Sequence, residues 1–230
     1  MKNEQNDGIA IVLANRYYLY GLLQHIFGNE PSPPLLEVVT SDHTRQSLQL
    51  WLNEEECELS DYLSLLSEVR VGLANDRDKL LEELNSEYTY LFIGPNALPA
   101  PPWESVYLNE ERTIFQESTL RVRRAYLEYQ FLPSNYPHEA DDHLAMELDF
   151  MVHLSKLAQG LFEDQNYKAV KTILINQKKF LDEHLLVWIK SFTKEIQNSK
   201  THFFYPQMAT LTEKILFKDN DTLQEILGVM

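Results

Sequence analysis

The chain is poor in several residue types on which whole classes of site depend. It has one cysteine, Cys57, among 230 residues, so neither an intrachain disulfide nor a zinc site built from several thiolates can form. Only seven glycines are present, and alternating strand patterns are scarce. Lysine and arginine number 20 against 35 acidic residues, and the resulting formal charge of -15 argues against a nucleic-acid partner. A basic partner is compatible with this charge.

Catalytic signatures are also missing. The sequence contains no HExxH, no glycine-rich phosphate loop, no GxSxG and no cysteine–histidine pair. Its most apolar stretch, residues 8–27, is interrupted by Asn15, Arg16, Gln24 and His25, which is typical of a buried helix rather than of an export signal. We therefore expect a protein that is not an enzyme, holds no resident metal or cofactor, and does not insert stably into a membrane.

What the sequence does contain is apolar residues at three- and four-residue spacing. With 44% hydrophobic residues and no internal repeat, it predicts an all-α fold, a single compact multi-helix domain over residues 1–230. Asp7 is the expected N-cap of the first helix. The predicted helices are 9–26, 34–40, 42–53, 60–74, 76–92, 113–130, 140–160, 166–183, 185–198 and 203–217, with a short amphipathic tail beyond Asp221.

Residues 94–103, GPNALPAPPW, form a proline-rich segment that cannot continue a helix. Because its prolines fix the backbone, Leu98 and Trp103 are expected to form a preorganised apolar surface on which a peptide can dock at low entropic cost. The alternative is that Leu98, Pro102 and Trp103 fold back and cap the helical core. The residues of this segment alone leave both interpretations open.

A longer stretch, Tyr88 to Leu108, YTYLFIGPNALPAPPWESVYL, resembles the most characteristic segment of the TorD/DmsD family. STLRVRRAYLEYQF at 118–131, EADDH at 139–143 and HLLVWIKSF at 184–192 resemble further family segments in the expected order, with the likeness nearest to the DmsD branch. One departure is Ala140, which stands where the family motif usually has proline. The turn into the following helix is therefore expected to be looser.

The resemblance implies a cytoplasmic, all-helical chaperone of anaerobic respiration. Such a chaperone binds the twin-arginine signal peptide on the catalytic subunit of a molybdopterin-dependent reductase or dehydrogenase, and holds the precursor until its cofactor is inserted and it can be exported. The twin-arginine export machinery is a further candidate partner.

The same resemblance implies a peptide-binding groove made by residues 88–103 and by the start of the helix near 140. A twin-arginine signal carries an arginine pair before an apolar stretch, so Asp142 is expected to pair with an arginine and the aromatic residues with the apolar stretch. The groove residues are Tyr88, Leu91, Phe92, Pro102, Trp103, Asp142 and His143, to which the proline-rich segment adds Leu98.

Two alternatives accompany this interpretation. The first is a metal-dependent helical enzyme with Glu139, Asp142, His143 and Glu147 as ligands, although capping and the helix dipole also favour acidic residues at a helix start. The second is a NarJ-like chaperone that binds a non-cleaved N-terminal tail. The segment 129–139 is in addition a candidate hinge for helix exchange into a homodimer.

Overall fold

The computed structural model describes residues 2–52, 57–133, 136 and 138–230, and within these ranges the chain forms helices and no strand. The all-α prediction is confirmed. The helices are α1 Lys2–Gly28, α2 Pro33–Val39, α3 Asp42–Trp51, α4 Cys57–Asn75, α5 Arg77–Tyr88, α6 Glu104–Leu108, α7 Glu117–Glu128, α8 Leu144–Glu163, α9 Tyr167–Phe180, α10 Leu186–Gln197 and α11 Tyr205–Val229.

Polar caps set several of these boundaries. The Ser41 hydroxyl accepts the Thr44 amide at 3.1 Å at the start of α3, and the Asn166 side chain accepts the Ala169 amide at 3.3 Å at the start of α9. The predicted N-cap Asp7 is wrong, because α1 begins at Lys2. The tail expected beyond Asp221 is the last part of α11. No helix in the described ranges has the length and apolar character needed to cross a membrane.

Two π-helical turns interrupt the regular helices. One, Thr89–Ile93, continues α5, and the other, Leu181–Leu185, joins α9 to α10. A π turn accommodates one extra residue and so changes which side chains face inward. Gly94 ends the first turn with φ +95°, and a Cβ there would lie 3.2 Å from the Asn96 carbonyl oxygen, so this position favours glycine.

The chain divides into two helical units, which are described separately. Unit 1 consists of Met1–Gln24, Trp103–Ile189 and Leu216–Met230, and unit 2 consists of His25–Pro102 and Lys190–Ile215. A single domain over residues 1–230 stays a prediction.

The core of unit 1 is rich in aromatic rings. The rings of Tyr126 and Phe150 lie 4.8 Å apart between centroids, and Phe150 packs edge-to-face on Phe180 at 4.9 Å. Trp188 and His184 are both buried, and Trp188 stacks on Tyr107 at 5.4 Å. These contacts join α6, α7, α8, α9 and α10 within the unit.

A buried ion pair joins α1 to α11 within unit 1. The guanidinium of Arg16 donates to both carboxylate oxygens of Asp219, at 2.6 and 3.0 Å, and to the Gln177 side chain at 2.9 Å. The Tyr20 hydroxyl donates to Asp219 at 2.6 Å. Because both charges are fully buried, these hydrogen bonds are what makes their burial tolerable.

Unit 2 has its own aromatic cluster, formed by Phe27, Tyr88, Phe92, Phe192 and Tyr205. The centroid of the Phe92 ring lies 5.3 Å from those of Tyr88 and Tyr205, and 6.1 and 6.2 Å from those of Phe27 and Phe192. Inward placement of Phe92 follows from the π turn that carries it.

The Glu87 carboxylate caps the start of α11 within unit 2. It accepts the backbone amides of four consecutive residues, 202–205, at 3.0 to 3.3 Å. Such amides have no partner inside the helix, and a carboxylate also interacts favourably with the helix dipole.

Candidate functional site

In unit 1, the segment 139–143 lies against the chain around Trp103. An isolated antiparallel bridge joins Trp103 to His143, and the Glu104 amide donates to the Asp142 carbonyl at 2.9 Å. Two of the stretches that resemble the TorD/DmsD family are therefore in direct contact.

The Asp142 side chain stabilises the contact between the segment 139–143 and the start of α6. Its side chain is fully buried, and its Oδ2 accepts the Ser105 amide at 2.9 Å in the first turn of α6. Among the described residues, none is a hydrogen-bond partner of its Oδ1. Asp142 thus fixes the start of α6, and with it the position of Trp103, while no part of its carboxylate faces solvent.

His143 is the N-cap of α8. Its Nδ1 accepts the Ala145 amide at 3.1 Å, so this nitrogen carries no proton. Burial lowers the pKa of His143, and the nearby Glu139 and Asp142 oppose that shift only in part. The helix predicted from about residue 140 accordingly begins at Leu144.

Trp103 is half-buried and held in one orientation. Its indole Nε1 donates to Glu139 Oε1 at 2.8 Å, and its ring meets the His143 ring edge-to-face at 5.6 Å. The Ala140 amide donates to the same Glu139 oxygen at 2.9 Å. Proline has no amide hydrogen, so alanine at this position provides a bond to Glu139 that the usual family residue cannot make.

Asp141 completes the motif. Its Oδ2 accepts from Arg123 Nε at 2.6 Å, and its carbonyl accepts the Tyr126 hydroxyl at 2.8 Å. Arg124, by contrast, is exposed and pairs with Glu117 at 3.0 Å. Glu139, Asp141 and Asp142 therefore make hydrogen bonds that fix this segment to neighbouring elements, while Ala140 bonds within the segment.

Sequence reasoning named Glu147 only as a possible metal ligand, and it did not identify Glu104 as a second buried acidic residue next to this site. Glu104 is fully buried and contacts His184 Nδ1 at 2.9 Å, and the Trp188 indole donates to Glu147 at 3.3 Å. Burial, followed by the interaction with Glu104, raises the pKa of Glu147 well above its usual range. The only signal in the sequence was that Glu104 and His184 belong to stretches resembling the TorD/DmsD family.

The remaining predicted site residues belong to unit 2. Tyr88, Leu91, Phe92 and Pro102 are buried there, and Leu98 is half-buried. Leu98 and Trp103 are thus the members of the predicted set with the most accessible side chains. The eight residues are divided between the two units, and a single groove formed by all of them stays a prediction.

The four residues considered as metal ligands each accept a hydrogen bond from another residue of the protein. Glu139 accepts from Trp103, Asp142 from Ser105, His143 from Ala145 and Glu147 from Trp188. Within the described part of the chain, no group of three or more histidine, cysteine or acidic side chains is arranged to hold a metal ion.

Comparison with known proteins identifies the family. A family model described as nitrate reductase delta subunit matches residues 46–194. A DmsD protein of Haemophilus influenzae, described as a Tat proofreading chaperone, is 30% identical over 200 residues, covering 86% of this chain and 87% of its own. The chaperone protein TorD of Aliivibrio salmonicida is 26% identical over 190 residues, covering 83% and 86% of the two chains.

A second DmsD protein, from Salmonella typhimurium and also described as a Tat proofreading chaperone, is 32% identical over 134 residues, covering 57% of this chain and 59% of its own. The all-helical fold and these relatives define a redox enzyme maturation chaperone. The chain belongs to the TorD/DmsD family, and the predicted likeness to its DmsD branch is confirmed. Because these relatives are chaperones, the prediction that the protein is not an enzyme is confirmed as well, and the metal-dependent enzyme is rejected.

Proposed function

We propose that this chaperone binds the twin-arginine signal peptide of a molybdopterin-dependent oxidoreductase precursor in the cytoplasm, and holds the precursor until its cofactor has been inserted and export can proceed. The relatives described as Tat proofreading chaperones support this client. The twin-arginine export machinery is then the partner that receives the released precursor.

The observation that carries the proposal is the way Trp103 is presented. Its ring is half-buried, and Glu139 and His143 hold it in place. A partly accessible aromatic ring that is already fixed loses little conformational freedom when an apolar peptide packs on it. Leu98 follows three residues after Pro95, in a segment whose backbone is similarly restricted.

We assign the eight predicted residues two kinds of role. Leu98 and Trp103 contact the apolar part of the peptide directly. Asp142 and His143 act as positioning residues, because each uses its side chain to cap a helix next to Trp103. Tyr88, Leu91, Phe92 and Pro102 are buried in unit 2 and support the segment that contains Leu98.

The test is calorimetric titration with the twin-arginine signal peptide of a molybdopterin-dependent reductase precursor. Trp103→Ala is expected to weaken binding by about tenfold, since loss of one packed aromatic ring at an interface typically costs about 1–2 kcal/mol. Phe115→Ala, which removes an exposed ring of unit 1, is the matched control and is expected to bind normally. Unchanged binding by Trp103→Ala would remove Trp103 from the site.

The match to the nitrate reductase delta subunit model supports one comparison in the same experiment. A NarJ-like chaperone binds a non-cleaved N-terminal tail, so a peptide with the same apolar stretch but no arginine pair is titrated in parallel. Preference for the twin-arginine peptide supports the proposed function. Preference for the peptide without arginines assigns the chaperone to tail binding instead.

A homodimer formed by helix exchange is also proposed. Its candidate hinge, residues 129–139, includes residues 134, 135 and 137, which lie outside the described part of the chain. Light scattering over a range of protein concentrations tests the proposal, and a single monomeric species at all of them would overturn it.

A further inference from the structure

Because Asp142 is buried, it is poorly suited to bind the arginine pair of a signal peptide. The Asp142 carboxylate is fully buried, and it accepts a backbone amide of α6. An arginine pair needs carboxylates that are accessible and close to an apolar surface. Unit 2 offers such a surface on the second half of α5.

The first part of this surface is an open depression of about 490 Å³ between α5 and the loop that follows the π turn. Tyr90, Pro95 and Ala97 are among the side chains that give it an apolar lining, and Ser86 and Thr89 add hydroxyl groups. An extended peptide needs both features, because its side chains bury apolar area and its backbone needs hydrogen-bond partners.

The π turn explains why this depression exists. It turns Leu91 and Phe92 into the core of unit 2, and it leaves Tyr90 and Ile93 with 40% and 60% of their surfaces exposed. Gly94 then ends the π turn in a conformation that other residues rarely adopt. Irregular helical turns of this kind occur frequently at functional sites.

A second depression, of about 650 Å³, lies on the other side of α5 and includes Phe203 in its lining. The two depressions share Glu82 and Ser86, and Glu83 lies beside them in the second one. Both glutamates are exposed, and Lys79, which also lines the second depression, forms a solvent-exposed ion pair with Glu83 at 3.9 Å. Exposed pairs of this kind are weak, so an arginine can displace the lysine. Glu87 is not available to a ligand, since its carboxylate binds the amides at the start of α11.

We propose that Glu82 and Glu83 bind the arginine pair of the signal peptide, and that the apolar residues following the pair lie in the depression lined by Tyr90, Pro95 and Ala97. This inference rests on the proposed function, and it specifies where on unit 2 the charged part of the peptide binds. The occupant is chosen by charge: two adjacent carboxylates beside an apolar depression match two adjacent guanidinium groups beside an apolar stretch.

The experiment compares three proteins and two peptides by calorimetry. The proteins are the parent chain, the double variant Glu82→Gln/Glu83→Gln, and the control Asp61→Asn/Glu68→Gln, which removes two exposed carboxylates from α4 of the same unit. The peptides are the twin-arginine signal peptide and the same peptide with both arginines replaced by glutamine. Circular dichroism checks that each variant is folded.

The double variant at Glu82 and Glu83 is expected to bind the twin-arginine peptide about 4- to 25-fold more weakly, with about 2- to 5-fold from each exposed ion pair. It should bind the glutamine peptide as the parent does, and the control variant should match the parent with both peptides. Tyr90→Ala should weaken binding of both peptides to a similar extent.

Three results would overturn the inference, and they are distinguishable. If the parent and the Glu82/Glu83 variant bind the twin-arginine peptide equally, the proposed function survives and the arginine site lies elsewhere. If the parent binds neither peptide, the proposed function fails and this inference fails with it. An equal loss in the Asp61/Glu68 control would show that overall charge, and not these two glutamates, determines binding.

Discussion

At the scale of single residues, the polar groups around Trp103 are used mainly to cap helices. Asp142 binds the first turn of α6, and His143 binds the first turn of α8. Because both side chains are buried, replacing either one leaves backbone amides without a partner in a place that water does not reach. The sequence predicted that these residues matter, but it did not show that they act through the backbone.

Titration of His143 is expected to make the fold sensitive to acid. Its pKa is lowered in the folded state, so below the unfolded value of about 6.5 the unfolded chain binds more protons, and the free energy of unfolding falls as the pH falls. His143→Asn keeps a capping acceptor that does not titrate. Between about pH 7.5 and pH 5, the parent should lose stability relative to this variant, by at most about 1.4 kcal/mol per pH unit.

Urea denaturation of both proteins at each pH gives this difference directly. Parallel pH dependences in the two proteins would show that His143 does not titrate as its surroundings indicate.

Glu147 is expected to have the opposite effect. Its pKa is raised in the folded state, so above the unfolded value of about 4.3 the folded chain binds more protons, and stability falls as the pH rises toward the folded value. Glu147→Gln is neutral at every pH and can still accept from Trp188. The variant should therefore gain stability relative to the parent as the pH rises from about 5 to about 8.5.

Thermal unfolding at the two pH values measures the gain, and Glu128→Gln, an exposed site on α7, serves as its control. A gain of the same size in the control would mean that net charge, not the buried pair with Glu104, is responsible.

At the scale of helices, sequence periodicity predicted most of the helices. It missed the short helix α6 and the two π turns, which no periodic pattern indicates. Helices α3, α9 and α10 end within a few residues of their predicted limits, because apolar spacing and caps are local signals. The five-residue helix α6 was missed, since it is too short for a periodic pattern and depends on Asp142, 37 residues away from Ser105 in the chain. Both π turns were missed because no local sequence signal distinguishes a π turn from an α-helix.

The start of α11 gives a prediction at this scale. Glu87→Ala removes the acceptor for four backbone amides, and it should lower the free energy of unfolding by about 2–3 kcal/mol. Hydrogen exchange should be accelerated most at residues 202–205. Glu83→Ala, one turn earlier on α5 and exposed, should change stability by no more than about 0.5 kcal/mol. Uniform acceleration of exchange over α11 would contradict a local capping role.

At the scale of the whole molecule, the chain assembles each unit from separated stretches of sequence. Unit 1 uses three stretches and unit 2 uses two. Arg16 and Asp219 show why sequence alone could not predict this arrangement: they are 203 residues apart, and Arg16 looked only like an interruption in an apolar segment. The order of the TorD/DmsD-like segments supplied the family, but not the pairs of residues that join distant helices.

The Arg16–Asp219 pair provides the prediction at this scale. Arg16→Met leaves a buried carboxylate without its charge partner, and it should cost about 3–5 kcal/mol of unfolding free energy. Adding Asp219→Asn removes the unpaired charge, so the double variant should recover part of that loss. Urea denaturation of both single variants and of the double variant completes the cycle. Additive losses would show that the two residues do not stabilise each other.

The same pair has a consequence during protein synthesis. At about 5–20 residues per second, the ribosome reaches Asp219 about 10–40 s after it has made Arg16, given the 203 residues between them. During that interval α1 has a guanidinium that it cannot bury. The first helix of the nascent chaperone therefore cannot complete its buried contacts until the last helix has been made. During that delay the incomplete chain is exposed to aggregation, as incompletely folded proteins are in general.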